Sequence, residues 1–350
     1  MQLRTTAILA LSLLASVPCG AAAAGDQVYP LTDAKGFVAH NAKVEPAEFK
    51  GRQAVRITAP EEGKGTPLAM LDGVDFQDGV IDIDVATKIT LPPGVRMPGF
   101  IGVAFRVQPD VEHHEMFYIR PGNGRAPDQA MRNHAVQYTS GKDYSWYKLR
   151  REWPWVYEAS ADLEPETWTH VKVEVSGRAA KLYVNNAPQP SLIVDGLKGE
   201  SLHGAVALFG YPGEEAYFSN LRITPAMPQP LKNGSDATGE WQVKWNTDIG
   251  MFDGTLQLHR DGKALTGTWS VKLDKEFELK DLPVTGTWRD GYVEVTTNNF
   301  DWPKEAPGGP GSVKVTMAGW IDDASAKGRM KIDGRTDGSW TATRAPAASK

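Results

Sequence analysis

Cysteine is almost missing from this sequence: the 350 residues include one, Cys19. It lies in an N-terminal segment typical of an export signal, with Arg4 near its start, an apolar run over residues 7–17 and small residues at 22–24. We therefore predict a signal peptide over residues 1–24, followed by a mature chain without cysteine. Such a chain has neither a disulfide nor a thiol nucleophile.

Long apolar runs and basic surfaces are missing as well. Beyond the export signal, no stretch stays apolar for the roughly 20 residues that a membrane-spanning helix needs. The formal net charge is −5, and acidic and basic residues are interspersed, without the basic stripe or aromatic motif typical of nucleic-acid-binding proteins. We expect a periplasmic or secreted protein with no membrane span and no nucleic-acid partner. The sequence leaves its oligomeric state open.

Several catalytic motifs are also absent. The sequence contains no Gly-x-Ser-x-Gly nucleophile elbow and no His-x-x-x-His pair. The adjacent His113 and His114 would point to opposite faces of a strand, so we predict no zinc site and no metal ligands. No cofactor is predicted. Calcium, bound by Asp, Asn and backbone oxygens, is the one ion left open, although no contiguous loop motif for it is present.

The residues that are present indicate an all-β protein. The chain holds 11 Trp, 35 Gly and 24 Pro, and no long segment shows a clean helical period. Residues 79–85 alternate apolar and acidic side chains, which places Ile81, Ile83 and Val85 on one face of a strand. Ten or more predicted strands joined by long loops favour a two-sheet jelly-roll sandwich over residues 37–225.

The pattern changes after residues 226–236, a stretch of Pro and polar residues that we interpret as a linker. Beyond it, the sequence Leu-Thr-Gly-Thr-Trp at 265–269 recurs as Val-Thr-Gly-Thr-Trp at 284–288, and Asp-Gly turns separate alternating runs. These features predict a small up-and-down β-barrel or meander over residues 237–345. It would resemble avidin or lipocalins, with its Trp residues in the core.

The residues best suited to binding lie between 115 and 138, a stretch dense in Arg, Asn, Gln, His and Tyr. Each unpaired buried polar group costs about 1–3 kcal/mol, so this stretch should not be core. We interpret it as a surface that hydrogen-bonds a polyhydroxylated ligand, the alternative being a structural hydrogen-bonded loop. The Pro-containing run that follows carries four aromatic residues that would stack on sugar rings, Trp146, Tyr147, Trp153 and Trp155. The alternative is that part of this cluster pins the loop. The predicted substrate-binding residues are Arg106, Tyr118, Arg120, Asn123, Arg125, Asp128, Gln129, Asn133, Gln137, Tyr138, Trp146 and Trp155.

Two residues are candidates for catalysis. Glu115, with Arg106 on a neighbouring strand, would act as a general acid or base if its pKa were raised; the alternative is a structural cross-sheet salt bridge. His134 would serve as a base or as a sugar-binding donor. Glycoside hydrolysis normally uses two carboxylates about 5–10 Å apart. The candidates for the second are Asp128, Glu152 and Glu158.

Motifs in the first predicted domain resemble known families. In chain order they read W-T-H-V-K-V-E-V-S-G with K-L-Y-V-N, then G-A-V-A-L-F, then A-Y-F-S-N-L-R-I. This order resembles the closing half of concanavalin A-like lectin/glucanase (laminin G-like) sandwiches. Earlier in the chain, G-F-I-G-V-A-F-R followed by H-E-M-F-Y-I-R is similar to the bacterial 3-keto-disaccharide hydrolase domain, long grouped beside glycoside hydrolase family 16. The family 16 catalytic strand reads Glu-x-Asp-x-(x)-Glu, and its nearest match here, Asp82-Ile83-Asp84, lacks both glutamates. The retaining mechanism of that family is therefore not supported.

The resemblance implies an exported carbohydrate-active protein whose partner is an oligo- or polysaccharide. Our leading hypothesis is cleavage of a glycosidic bond, including one in an oxidised (3-keto) sugar. The alternative is a non-catalytic carbohydrate-binding or surface-interaction module. The sequence does not decide whether the protein is an enzyme, because Glu115 is the single carboxylate that stands out.

Overall fold

The computed structural model describes residues 25–60, 65–227, 236–273, 278–304 and 309–345. Over these residues the predicted all-β fold is confirmed: two antiparallel sheets form a sandwich, and a closed barrel follows. The predicted signal peptide and most of the predicted linker lie outside the described residues. Within them, no helix is both long and apolar enough to cross a membrane.

The sandwich is built from short strands with three brief helices in the connections. The strands are β1 (Gln27–Tyr29), β2 (Phe37–His40), β3 (Lys43–Phe49), β4 (Arg52–Thr58), β5 (Leu68–Leu71), β6 (Gly79–Ile89), β7 (Ile101–Val107), β8 (Glu115–Ile119), β9 (Val136–Ser140), β10 (Glu158–Ala159), β11 (Thr169–Ser176), β12 (Ala179–Val184), β13 (Leu192–Val194), β14 (Ala205–Gly210) and β15 (Glu214–Pro225). The helices are α1 (Pro121–Gly124), α2 (Gln129–Arg132) and α3 (Trp146–Glu152).

Two sheets face each other across one core. The back sheet has the order β13-β12-β11-β6-β15-β4-β3, with β1 paired to β15, and the front sheet has the order β10-β9-β8-β7-β14-β5-β2. The predicted alternation in β6 is confirmed, because Ile81, Ile83 and Val85 are buried in the core between the sheets. Strand β1 was not predicted, since three residues are too few for a periodic pattern.

The central strands of the front sheet are buried on both faces. Their inward side chains, including Phe105, Phe117 and Tyr138, belong to the core between the sheets. On the outward face, Met116 and Tyr118 of β8 cluster with apolar side chains of β14 and β7. Residues of α1, α2 and α3 lie beside this outward face, and the space between them is the groove discussed below.

The second part of the chain is a closed eight-stranded barrel, as the sequence predicted. Its strands are β16 (Gly239–Thr247), β17 (Gly250–Asp261), β18 (Ala264–Lys272), β19 (Glu278–Arg289), β20 (Tyr292–Thr297), β23 (Val315–Asp322), β24 (Ser325–Ile332) and β25 (Thr336–Arg344), and a separate hairpin pairs β21 (Phe300–Trp302) with β22 (Gly311–Val313). Trp241, Trp245 and Trp269 fill the barrel core. The turn at Asp290 and Gly291 has positive φ at both residues, which favours an Asp-Gly sequence.

The segment at residues 198–200 ties the barrel to the sandwich, with Lys198 buried and Glu200 exposed; we call it the junction segment. On the sandwich side, the backbone N–H of Lys198 donates to the hydroxyl of Tyr138 at 2.7 Å. The N–H of Gly199 donates to Glu115 at 2.8 Å, and Tyr138 donates to the same carboxylate at 2.5 Å. Glu115 thus holds the junction segment directly through Gly199 and indirectly through the Tyr138 hydroxyl, which accepts from Lys198.

Barrel side chains hold the same segment from the other side. The Lys198 ammonium lies 2.5 Å from Glu294, and Arg289 donates to the Lys198 carbonyl at 2.8 Å. Arg178 of the sandwich reaches Asp290 of the barrel at 2.7 Å. Because Lys198 and Arg178 are nearly inaccessible to solvent, removing either partner would leave a buried charge uncompensated.

A buried carboxyl group fixes one wall of the groove. Both oxygens of Glu214, the first residue of β15, accept a hydrogen bond from the N–H of Phe100, at 3.1 and 3.0 Å, and one also accepts from the N–H of Tyr211 at 3.0 Å. Burial raises the pKa of Glu214 to about 8. At neutral pH this carboxyl group is therefore mostly protonated.

This raised pKa makes stability depend on pH. The folded pKa of Glu214, about 8, exceeds its ordinary value of 4.5, so the stabilising effect is complete below pH 4.5 and is lost as pH rises through 8. Between these values the free energy of unfolding should fall with pH, by up to about 1.4 kcal/mol per unit. Chemical denaturation across this range measures the slope.

Glu214→Gln keeps the size of the side chain but cannot ionise, so its slope should be flatter than that of the wild type. Glu215→Gln is the matched control, because Glu215 pairs with Arg56 and Lys88 on the outside of the back sheet. It should keep the wild-type slope at neutral and alkaline pH. Equal slopes for the wild type and Glu214→Gln would contradict the assignment.

Candidate functional site

A groove of about 610 Å³ lies on the outward face of the front sheet. Its floor is formed by Met116 and Tyr118 of β8 and Phe209 of β14. Phe100 and Tyr211 line it as well. Successive residues of a strand point to opposite faces, so β8 presents Met116 and Tyr118 to the groove while Phe117 between them enters the core.

The other wall comes from helices that the sequence did not predict. Met131 of α2 and Trp146 of α3 both line the groove. Short side-chain caps begin the two helices: Asp128 accepts from the N–H of Ala130, and Ser145 accepts from the N–H of Lys148. Helices of four and seven residues leave too short a periodic pattern to be recognised within a polar stretch.

A fixed arginine marks the polar end of the groove. Arg120 is buried, and its guanidinium donates to the His134 carbonyl at 2.8 Å, to the Tyr118 hydroxyl at 3.0 Å and to Gln137 at 3.2 Å. The amide of Asn123 donates to the same His134 carbonyl at 3.2 Å. These bonds hold the Tyr118 ring and the His134 backbone in place before any ligand arrives.

An ion cluster stands beside this arginine. Arg150 donates to both oxygens of Glu158 at distances from 2.7 to 3.2 Å, and Nδ1 of His134 lies 2.8 Å from the same carboxylate. Burial lowers the pKa of His134, against the opposing effect of Glu158. The His134 ring lies parallel to the Trp155 ring, with centroids 5.7 Å apart.

Two tryptophans at this end remain open to solvent. Trp146 is 44% exposed and lies under the Arg150 guanidinium at 4.8 Å. Trp155 is 56% exposed, beyond its contact with His134. Large aromatic side chains with this much free surface are available to contact a ligand.

The structure brings some of the predicted site residues together and separates others. Those that line the groove are Tyr118, Arg120, Asn123, His134 and Trp146. Gln137 and Tyr138 are buried below the groove, where Gln137 donates to two backbone carbonyls. Arg125, Asp128, Gln129 and Asn133 make local contacts on the surface: Arg125 pairs with Asp162 and Glu164, and Gln129 donates to Asn133.

The predicted pair Glu115 and Arg106 lies in a different place. Both are buried and line a second cavity of about 780 Å³, together with Ser140 and Lys198; we call it the inner cavity. It opens to solvent beside the exposed Asp110 and Asp143. Arg106 sits at a β-bulge with φ of 52° and donates to Asp78 at 2.9 Å. Its salt bridge therefore spans the two sheets, but the partner is Asp78 and not Glu115. Burial raises the pKa of Glu115, opposed by the hydrogen bonds from Tyr138 and Gly199 and by the charge of Arg106.

The three candidates for a second carboxylate also lie in different places. Glu158 is buried next to the groove. Asp128 is exposed and caps α2, and Glu152 is half-buried and pairs with Arg151. Across the described parts of the chain, no three His, Cys, Asp or Glu side chains are grouped closely enough to hold a metal ion.

Sequence reasoning missed several groove residues. Phe209 and Tyr211 belong to a part of the chain about 90 residues beyond β8, and only the strand order β8-β7-β14 brings them to the same groove. Arg150 lies in α3, within the Pro-containing run for which the sequence predicts no helix. Had this run been recognised as a helix, the spacing of Trp146 and Arg150 would have placed both on one face.

Comparison with known proteins adds only a general likeness. No protein-family model matches the sequence, and no curated protein matches it. A carbohydrate-binding module from Bacillus subtilis aligns with a TM-score of 0.37 and 14% identity, over 54% of this chain and 95% of its own. A Bacillus subtilis protein of unknown function with a galectin-like fold gives 0.40 and 12%, over 59% and 99%. A Bacillus licheniformis β-glucanase gives 0.36 and 11%, over 58% and 99%. Likenesses this low do not indicate a function for the chain.

Proposed function

We propose that the protein binds a carbohydrate in the groove of the front sheet. The observation that supports this most directly is the juxtaposition of an aromatic floor and walls with fixed hydrogen-bonding groups at one end. Sugar rings have apolar C–H faces, which suit Tyr118 and Trp146, and hydroxyl edges, which suit the polar end around His134 and Asn123. A concave, largely apolar site with a few placed polar groups is the usual form of a small-molecule site.

The groove is organised in advance for such a ligand. Arg120 holds the Tyr118 hydroxyl, and Arg150 is held by Glu158. Glu214 fixes the wall at Phe100. A ligand therefore meets side chains that have already lost most of their rotamer freedom, which reduces the entropic cost of binding.

Binding is supported better than two-carboxylate hydrolysis. Among the described residues that line the groove, none is Asp or Glu. Glu158, a buried carboxylate beside the groove, has both oxygens occupied by Arg150 and lies against His134. A pair of free carboxylates on either side of a glycosidic bond, as ordinary hydrolysis needs, does not occur among these residues.

A second candidate is cleavage of a 3-keto glycoside, and the His134–Glu158 pair favours it. The C–H next to a ketone is acidic, so a single base can remove that proton. The electron pair then forms a C=C bond and expels the glycosidic oxygen, which takes up a proton. His134, whose pKa is lowered by burial and whose Nδ1 lies 2.8 Å from Glu158, is the candidate for such a base. The predicted acid/base role of Glu115 belongs to the inner cavity and stays a prediction.

Three further predictions accompany the proposal. The N-terminal segment over residues 1–24 suggests export to the periplasm or beyond. We also keep the predicted domain limits, 37–225 and 237–345, with a linker at 226–236. Calcium stays the one metal left open.

Trp146→Ala should weaken glycan binding. After a glycan array has selected a neutral oligosaccharide, calorimetry should show an affinity about three- to tenfold lower, since one aromatic contact contributes roughly 0.5–1.5 kcal/mol. Tyr147→Ala is the matched control, because Tyr147 is the next residue, is 60% exposed and does not line the groove. Equal losses in both variants, or none in Trp146→Ala, would contradict binding in the groove.

Turnover assays on a 3-keto glycoside distinguish the two functions and the two candidate residues. If His134 is the base, His134→Gln should lower kcat at least about a hundredfold, within the range typical of general base catalysis. Glu115→Gln should lower the melting temperature through the junction segment while kcat per folded molecule stays within a few-fold. A large loss of kcat in Glu115→Gln alone would instead assign the chemistry to the inner cavity. If the wild type binds the glycoside but does not turn it over, only the binding function remains supported.

A further inference from the structure

A third cavity, of about 510 Å³, lies where the barrel meets the sandwich; we call it the cleft. Trp153 and Tyr157, in the connection after α3, line it from the sandwich, and Tyr292 and Trp320 line it from the barrel. The close approach at its base requires Gly196, because a Cβ atom there would fall 2.2 Å from the Tyr292 ring. The cleft is distinct from the groove, and the two share no lining residue.

Barrel strand pairing explains the shape of the cleft. In the register between β23 and β24, Trp320 lies opposite Lys327 and Ala318 lies opposite Arg329. The small Ala318 leaves space above the sheet, and the larger Trp320 bounds it on one side. The indole N–H of Trp320 donates to the Asp195 carbonyl at 2.7 Å, which fixes the ring against the sandwich.

Two cations line this cleft without a carboxylate partner. Lys327 and Arg329 are exposed residues on the outer face of β24, two positions and therefore roughly 7 Å apart. Neither forms an ion pair with another residue in the described ranges. Neighbouring cations do: Lys331 pairs with Asp333, and Lys198 with Glu294. One exposed carboxylate, Asp195, also lines the cleft, which leaves these three side chains with a net charge of +1.

This combination fits a ring-shaped anionic ligand. Aromatic side chains offer flat apolar surface, arginine binds carboxylates with two parallel hydrogen bonds, and Asp195 can accept hydrogen bonds from hydroxyl groups. Clefts at domain interfaces, with volumes of about 300–1,000 Å³, are frequent ligand sites. We propose that the cleft between sandwich and barrel is a second binding site, for a saccharide that carries carboxylate groups.

The test uses a galacturonic acid trimer and its methyl ester, which has the same backbone without charge. With the full-length protein, calorimetry should detect binding of the acid form, at least tenfold tighter than that of the ester, and binding should weaken as salt is added. The double variant Lys327→Gln/Arg329→Gln should lose at least tenfold in affinity for the acid form.

The matched control is Lys272→Gln/Lys280→Gln. It removes the same two charges from β18 and β19, on the other side of the barrel from β24 and outside the cleft. It should bind the acid form like the wild type. Absence of binding by the wild type, equal affinity for acid and ester, or equal losses in the two double variants would overturn the proposal. Because Trp146→Ala alters the groove alone, unchanged trimer binding in that variant separates this site from the proposed function.

Discussion

Side-chain alternation along β8 is the constraint on which the rest of the structure depends. Met116 and Tyr118 point outward and form the floor of the groove, whereas Glu115 and Phe117 point into the core. Glu115 then accepts the hydrogen bond that fixes Gly199 in the junction segment. One strand of five residues therefore positions both the ligand groove and the attachment of the barrel. A register shift of one residue would exchange these two roles and destroy both.

A short connection separates the two proposed sites. Residues 153–158 follow α3, and alternate aromatic side chains contact different sites. Trp155 stacks on His134 beside the groove, whereas Trp153 and Tyr157 line the cleft against the barrel. Glu158 then turns back to the groove and neutralises Arg150. The buried polar contacts on both sides of this connection explain why it keeps a defined path although it contains almost no regular secondary structure. Buried charges of this kind are tolerated because each is paired.

Much of the fold could be predicted from the sequence, because the patterns that specify it are local. The alternation of β6, the hairpin of β11 and β12, and the Asp-Gly turns of the barrel depend on neighbouring residues. The site was harder to predict, since it depends on strand order. Tyr118 and Trp146 could be recognised by residue type, but nothing local shows that Phe209 joins them or that Glu115 faces away from them. Arg125 and Asp128 have partners within the protein, because Arg125 pairs with Asp162 and Asp128 caps α2. Their predicted contacts with a ligand stay predictions.

The most direct measurement of the central claim is methyl NMR of a sample labelled at its methionines. Met116 and Met131 line the groove, whereas Met317 and Met330 lie in the barrel core. On titration with the neutral oligosaccharide selected by the array, the methyl signals of Met116 and Met131 should shift together and saturate at one affinity. The signals of Met317 and Met330 should stay in place. Saturable binding that leaves Met116 and Met131 unchanged would contradict a carbohydrate site in the groove.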